Sequence, residues 1–219
     1  MVTLGVDTSE PLGGVALYEE GHLAEFQMMD KPLSHAESLF PLIASTLKAC
    51  ALDKDQIDRV CINRGPGSFT GLRIGLAAMK GLCQALELPL IGVDGTEVYR
   101  HRVADRQRIC VVIASRRDLY YARWFAGARP KGTTILIREA ALLARFEQEM
   151  RELCLVGSGA SRLAPSVKRM PQIEIAPGPL NEPSPLAVAE WGAGCDGADQ
   201  LYSVEPSYVE PLLVGGKAA

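Results

Sequence analysis

Two stretches of the sequence place polar side chains and glycines where a phosphate group could be held. In the first, LGVDTSEPLGG, alternating apolar residues predict a strand that ends at Asp7, so that Thr8 and Ser9 follow it at the start of a turn. In the second, GPGSFTG, a glycine-rich loop precedes an apolar segment typical of a helix, whose free N–H groups would attract anions. Asp7, Thr8, Ser9, Gly67 and Ser68 are therefore candidate nucleotide or anion contacts. The alternative for the first stretch is an ordinary turn that ends a strand.

The glycine-rich loop does not match the common nucleotide or nucleophile motifs. It lacks the lysine of a Walker loop, and its glycines miss the GxGxxG spacing. It is not a GxSxG elbow around Ser68, because Pro66 and Thr70 stand where that motif needs glycine. Ser68 is instead predicted to cap the helix that follows.

The sequence offers no metal or disulfide framework. Its three histidines, at positions 22, 35 and 101, are not paired at helical spacing, which argues against a histidine-rich metal site. The cysteines never form CxxC, and most of them stand in apolar segments, which indicates buried free thiols of a reducing cytosol. They are Cys50, Cys61, Cys83, Cys110, Cys154 and Cys195.

Composition and charge are those of an ordinary globular protein, with 219 residues, 47% of them hydrophobic, and a net charge of −3. Nothing in this balance demands nucleic acid or an anionic membrane. The first 15 residues carry no Lys or Arg, and no apolar run approaches the roughly 18 residues that span a bilayer, so we expect a cytoplasmic protein without a membrane segment. A basic cluster is expected to be a solvated loop and strand end, with a contact to RNA phosphate as the less favoured alternative; it comprises Arg100, His101, Arg102, Arg106, Arg108, Arg116 and Arg117.

The order of elements predicts two similar halves, with domains at 1–98 and 99–219. The first half has the order βββαβαβ, with an antiparallel meander at its start, and a comparable series of strands and helices can be traced after it. The predicted helices cover 34–51, 71–86, 138–151 and 185–195.

Two features of the predicted helices are informative. In the first helix, Ser34 and Glu37 fit a capping box, and Pro41 predicts a kink or a later start near Ser38. In the second helix, Gly71 and Gly75 share one face, although glycine inside a helix costs about 0.5–1 kcal/mol relative to alanine. Something must approach that face closely. It is either another part of this chain or a partner, and the pattern leaves both open.

Several motifs together resemble one known family. LGVDTSEPLGGVAL, SHAESLFPLI and above all RGPGSFTGLRIGLAAMKGL are similar to the TsaB (YeaZ) family, bacterial partner subunits of the machinery that installs threonylcarbamoyladenosine beside the anticodon of tRNA. The C-terminal half resembles it loosely, with Ala114 where an acid is usual and Glu210 in place of a basic residue. The resemblance implies an α/β, two-lobed actin-like ATPase (ASKHA, RNase H-like) fold, in which each lobe is a mixed sheet with flanking helices.

The resemblance also implies a non-catalytic scaffold that supports a catalytic subunit, TsaD, with the ATPase subunit TsaE joining the complex. TsaD holds a metal through an HxxxH motif, whereas the comparable helix here reads His35-Ala-Glu-Ser-Leu39 and lacks the second ligand. The resemblance thus implies no intrinsic cofactor and tRNA only as part of the complex. It leaves open ATP or ADP with Mg at the junction with TsaD, and a homodimer when the chain is alone. The expected partner-binding residues are Leu39, Phe40, Ile43, Gly71, Leu72, Gly75, Leu76 and Met79.

Two other functions remain as alternatives. An active ATP-dependent phosphotransferase or ATPase of the same fold would use Asp7 as the carboxylate beside the metal, but Ala114 stands where a matching acid is expected. A peptidase would need a nucleophile with a base, or a pair of metal ligands, and the sequence shows neither.

Overall fold

A computed structural model of the chain describes residues 1–195 and 201–209. The chain forms two compact units. The first consists of Met1–His101 with the described part of Pro183–Ser207, and the second is built on Arg102–Glu182. The sequence-based boundary near residue 98 assigned everything after it to a second lobe, so the segment that begins at Pro183 is a correction to that assignment.

The first unit contains a five-stranded mixed sheet in the order β3-β2-β1-β4-β5. The first three strands form the predicted antiparallel meander, while β4 and β5 run parallel to β1. The parallel pairing brings the carboxyl ends of β1 and β4 together at one edge of the sheet. The strands are β1 Val2–Asp7, β2 Gly14–Glu19, β3 His22–Met28, β4 Arg59–Asn63 and β5 Leu90–Val93.

Helices cover both faces of this sheet. On one face lie α1 (His35–Ala49) and α2 (Phe69–Leu86), whose apolar side chains pack against Val60 and Ile62 of β4. On the other face lie α3 (Gly95–His101) and a later helix, Pro185–Ala193. That later helix was predicted for the second lobe, but here it packs against the first sheet.

The helix starts test two further predictions. Ser68 caps α2 as predicted, since its Oγ accepts a hydrogen bond from the Gly71 N–H at 3.2 Å. The capping box of α1 is wrong, because the Ser34 side chain makes no cap hydrogen bond and its Oγ donates to the Lys31 carbonyl oxygen at 2.8 Å instead. The helix begins at His35, so Pro41 does not delay its start.

The second unit has its own five-stranded mixed sheet, in the order β10-β9-β6-β7-β8. The antiparallel part is β6, β7 and β8, and β9 and β10 add parallel strands. Its strands are β6 Arg108–Ala114, β7 Leu119–Ala126, β8 Arg129–Arg138, β9 Leu153–Val156 and β10 Ile173–Ile175, and its helices are α4 Glu139–Glu147 and α5 Ser158–Val167. The helix Pro185–Ala193 is α6 in chain order.

The cysteines lie as the sequence predicts. All six cysteines are free thiols, and four of them are buried. Among residues 1–195 and 201–209, no helix is long and apolar enough to cross a bilayer.

Candidate functional site

The first candidate site lies where β1 and β4 end side by side. Asp7 is the last residue of β1 and is only 2% exposed, and Asn63 is the last residue of β4 and is equally enclosed. The Asn63 amide Nδ2 donates to Asp7 Oδ2 at 3.1 Å and to Ser9 Oγ at 3.0 Å. The amide therefore ties the carboxylate to the turn that follows it.

The other carboxylate oxygen of Asp7 is also used within the turn. Asp7 Oδ1 accepts from the Ser9 backbone N–H at 2.9 Å and from Ser9 Oγ at 2.6 Å. Together with the hydrogen bond from the Asn63 side-chain amide, three donors converge on the buried Asp7 carboxylate. Hydrogen bonds to a charged acceptor are among the stronger ones in proteins, so this arrangement holds the turn in a single conformation.

The glycine-rich loop closes over the same turn. The Ser68 backbone N–H donates to the Ser9 carbonyl oxygen at 2.6 Å, and the Gly65 N–H donates to Asn63 Oδ1 at 2.9 Å. A β-carbon at Gly67 would collide with the Ser9 carbonyl group, so only glycine permits this approach. Two N–H groups of the loop, those of Gly65 and Ser68, are therefore already bonded within the chain.

The turn residues Asp7, Thr8 and Ser9 do not fit a magnesium-bound nucleotide. Asp7, Thr8 and Ser9 are each at most 3% exposed, and the oxygens of Asp7 already accept from Ser9 and Asn63. This argues against the predicted nucleotide contact at Asp7 and Ser9, whose polar groups join the two loops, while Thr8 Oγ1 is buried without a hydrogen-bond partner within the described residues. The anion contact predicted at the half-buried Gly67 and Ser68 stays a prediction.

The helix position that resembles a metal-binding motif is also enclosed. His35 is 2% exposed, its Nδ1 lies 3.2 Å from the Met29 sulfur, and its Nε2 has no hydrogen-bond partner within the described residues. Burial lowers the pKa of His35 below 6.5, against smaller opposing effects of the Glu10 backbone and the Asp7 charge. Within the described ranges, no group of three His, Cys, Asp or Glu side chains could hold a metal ion.

Most of the predicted partner-binding side chains belong to the core of the chain itself. Each is 5% exposed or less, so none can reach a partner while the chain is folded, and this corrects the prediction. They pack between the helices and the sheet, or against the glycine-rich loop, as a helix face normally does. These side chains are Leu39, Ile43, Leu72, Leu76 and Met79.

The two helix glycines have an internal explanation as well. A β-carbon at Gly71 would overlap the Thr8 carbonyl oxygen, and one at Gly75 would overlap Thr8 Oγ1. The close approach that the sequence demanded is made by the turn after β1, and not by a partner. This is a correction to the assignment of Gly71 and Gly75 to an interface.

A different face of the two helices is exposed. Phe40, the one predicted contact that remains on the surface, is 50% exposed on α1, and Phe69 is 54% exposed at the start of α2. Further along α2, Ala77 and Gly81 are also exposed, and a β-carbon at Gly81 would meet nothing within 4 Å. The sequence signal was available, since 69, 77 and 81 share one helix face, but no pattern distinguishes the exposed face of an apolar helix from the buried one.

In the C-terminal half, the sequence departs from the family pattern at Ala114 and Glu210. Ala114 ends β6, and its backbone N–H donates to Ser158 Oγ at 3.0 Å. Tyr208 is 51% exposed, and Glu210 lies outside the described residues.

Comparisons with known proteins agree with this architecture. The family model described as "TsaD: tRNA N6-adenosine threonylcarbamoyltransferase" matches residues 32–156. The chain is 36% identical over 169 residues to the tRNA threonylcarbamoyladenosine biosynthesis protein TsaB of Escherichia coli (strain K12), a match that covers 73% of this chain and 72% of the relative.

Two solved structures show the same fold. YeaZ from Pseudomonas aeruginosa superposes with a TM-score of 0.72 at 24% identity, covering 95% of this chain and 99% of that one. A Bacteroides thetaiotaomicron protein with an actin-like ATPase fold superposes with a TM-score of 0.51 at 11% identity, covering 89% and 96%. The predicted actin-like fold is thereby confirmed, and the identity to the Escherichia coli protein shows that the chain belongs to the TsaB (YeaZ) family.

Proposed function

We propose that this chain is a non-catalytic scaffold in the synthesis of threonylcarbamoyladenosine on tRNA, and that it binds a TsaD-type catalytic subunit through the exposed faces of α1 and α2. The name of the Escherichia coli relative, a tRNA threonylcarbamoyladenosine biosynthesis protein, supports the pathway. The match of residues 32–156 to the TsaD family model supports a partner of related fold, because related folds present related helix faces.

The main support for a non-catalytic role is the burial of Asp7. In an ATPase of this fold a carboxylate in this turn would have to face a metal-bound phosphate. Here Asp7 is 2% exposed and accepts bonds from Ser9 and Asn63, while the Ser68 N–H is bonded to the Ser9 carbonyl oxygen. Admitting a phosphate would break several buried hydrogen bonds, each costly to leave unmade.

The partner surface is supported by small and aromatic side chains that nothing in the described chain explains. Glycine inside a helix is costly, yet the space beside Gly81 is empty, so no internal contact requires it. Ala77 lies one turn before it on the same face, and Phe40 on the neighbouring helix α1 is half exposed. Small residues let another helix approach closely, and an exposed aromatic ring is a common anchor of interfaces.

The remaining assembly follows from the same surface. A second copy of the chain would occupy the helix faces when the TsaD-type partner is absent, which gives a homodimer. TsaE would join the complex rather than this chain alone. Any ATP or ADP with Mg at the junction would be held mainly by the partner, because Asp7 and its neighbours are enclosed.

The test is a double substitution on α2, Ala77→Arg with Gly81→Arg, measured by calorimetric titration against the TsaD-type subunit. We expect the affinity to fall by at least about tenfold, since two long charged side chains would keep the helices apart. The matched control is Ala140→Arg with Ala144→Arg, which adds the same two charged side chains at exposed positions one turn apart on α4. Equal affinity of the α2 variant and the unchanged chain would refute the surface.

The rival function, an active ATPase or phosphotransferase, is tested on the isolated chain. Titration with Mg-ATP is expected to show no binding and no release of phosphate. Tight binding with turnover, abolished by Asp7→Asn, would favour the enzyme and would mean that the turn after β1 opens.

A further inference from the structure

The charge of the chain is unevenly divided. Residues 102–182 carry 14 Lys and Arg side chains against 8 Asp and Glu, a net charge of +6, while the rest of the chain carries 9 against 18, a net charge of −9. The modest overall charge of −3 therefore conceals a basic unit. A basic unit attached to an acidic one indicates a local contact with a polyanion.

Within the basic cluster predicted from the sequence, some arginine side chains form ion pairs or hydrogen bonds and others do not. Arg106 forms a two-pronged ion pair with Glu174, and Arg108 pairs with Glu149. Arg102 donates to three backbone carbonyl groups of the 179–182 segment. Arg116 and Arg117, in contrast, are exposed, and neither side chain forms an ion pair or hydrogen bond within the described residues.

The two unpaired arginines sit in the tight turn between β6 and β7. The turn is closed by hydrogen bonds from the Ser115 N–H to the Leu119 carbonyl oxygen at 3.0 Å and from the Leu119 N–H to the Arg116 carbonyl oxygen at 3.1 Å. Arg117 has a φ of 54°, in the left-handed region where glycine or asparagine is the ordinary choice. An arginine at this position therefore carries a conformational cost that glycine would not.

Two more arginines flank this turn. Arg162 of α5 donates to the Arg117 carbonyl oxygen, and its guanidinium lies 5.4 Å from the centre of the Tyr120 ring. Arg138, at the end of β8, donates to Asp118 at 2.9 Å. With Asp118 and the neighbouring Glu139, which accepts from Tyr120, the net charge of the group is still +2.

We propose that this basic end of the second sheet, made of Arg116, Arg117, Arg138 and Arg162, binds the phosphate backbone of tRNA. The choice of tRNA as the polyanion rests on the proposed function, whereas the anion-binding character rests on the arginines themselves. Guanidinium groups donate in a planar fork that matches phosphate oxygens, and backbone contacts of this kind position an RNA without reading its sequence. Arg116 and Arg117 make the contacts, while Arg162 and Arg138 hold the turn and add to its field.

The test uses the full chain in complex with its TsaD-type partner and a fluorescein-labelled tRNA transcript, with binding followed by anisotropy at several salt concentrations. Arg116→Glu with Arg117→Glu should weaken binding by at least about tenfold at 0.1 M salt, and the slope of log affinity against log salt should fall by roughly 2. The matched control, Arg129→Glu with Lys131→Glu, makes the same charge change at exposed positions at the opposite end of the sheet. It should leave binding within about twofold.

A second variant separates a contact from a structural role. Arg117→Gly suits the left-handed turn better than arginine, so the thermal midpoint should stay the same or rise while tRNA affinity falls several-fold. Unchanged affinity in both variants at this turn, or an equal loss in the control, would overturn the proposal. So would displacement of the tRNA by equimolar Mg-ATP, which would assign the arginines to a nucleotide.

Failure of the proposed function gives a different result. All variants at this turn should keep full affinity for the TsaD-type subunit, measured separately by calorimetry. If the unchanged chain does not bind that subunit, the scaffold proposal fails, and the same anisotropy series is then judged on the chain alone. Loss of salt-dependent binding in the double variant would still support the basic end, and no binding by the unchanged chain would refute it.

Discussion

Gly75 of α2 lies against Thr8 so closely that a β-carbon on the glycine would overlap the Thr8 hydroxyl oxygen. The contact joins the second helix to the turn after the first strand, 67 positions earlier in the chain. It explains a costly helix glycine without a partner, and it shows why the two loops that resemble phosphate sites are closed on each other.

Gly75→Ala and Gly81→Ala should therefore change stability in opposite directions. The added methyl group at 75 would push α2 away from Thr8 and lower the free energy of unfolding by about 1–3 kcal/mol. At position 81 the added methyl group contacts no other atom, so the better helix propensity of alanine should raise the free energy of unfolding by about 0.5–1 kcal/mol. Urea denaturation followed by circular dichroism measures both. Two changes of the same sign would contradict the packing described here.

The buried His35 should make stability depend on pH. Its pKa is lowered in the folded protein, mainly by burial, so below pH 6.5 the unfolded chain binds the proton more readily than the folded one. The free energy of unfolding should be at its full value above pH 6.5 and fall as the pH drops from there toward the lower folded pKa. Asp7 and the Glu10 backbone act on the ring in the opposite direction but do not reverse the shift.

His35→Gln is expected to flatten this dependence, while His22→Gln should leave it unchanged because His22 is exposed on β3. Denaturant titrations between pH 5 and 8 provide the measurement. A slope that persists in His35→Gln would assign the effect to other groups.

Substitution of Asp7 should cost stability. Asp7→Asn replaces one acceptor oxygen with a donor that faces the Ser9 or Asn63 donors, so the free energy of unfolding should fall by about 1–3 kcal/mol. Ser9→Ala removes a single hydroxyl and should cost less, about 0.5–1.5 kcal/mol. Thermal and urea unfolding of both variants test this. An Asp7→Asn protein as stable as the original chain would indicate that the carboxylate serves another purpose.

The cysteines should divide into two classes of reactivity. Burial raises the pKa of Cys61 and Cys83 to about 12, raises that of Cys154 to about 11, and raises that of Cys110 well above its ordinary value. Since the thiolate is the reactive form, these four should resist a thiol reagent at pH 8.

The partly exposed Cys50 and Cys195 should react first, and all six thiols should react in urea. A colorimetric thiol titration of the folded and unfolded chain counts them. The variant Cys50→Ser with Cys195→Ser is the control and should lose the early reaction. Rapid labelling of Cys61 in the folded protein would mean that β4 is more open than described.

Much of the local structure could be predicted from the sequence because local rules decide it. The alternation up to Asp7 predicted β1, and Ser68 before an apolar run predicted the cap of α2. The helix α5 was missed, since SGASRLAPSV has a proline at 165 and few large apolar residues to mark its period. The capping box predicted at Ser34 and Glu37 is not formed, because a matching pair of residue types does not ensure that the hydroxyl group points toward the helix.

By itself the sequence determined the family, the order of the strands, and the fact that a face of α2 made of glycines must be closely approached. Only the tertiary structure decided what approaches it. Periodicity places Gly71 and Gly75 on one face but carries no information about which distant segment packs there, and Thr8 takes that place only once β1 and β4 pair in parallel. The same pairing encloses Asp7 with Asn63, whereas Phe40, Ala77 and Gly81 lie on the outer faces of α1 and α2 and are exposed.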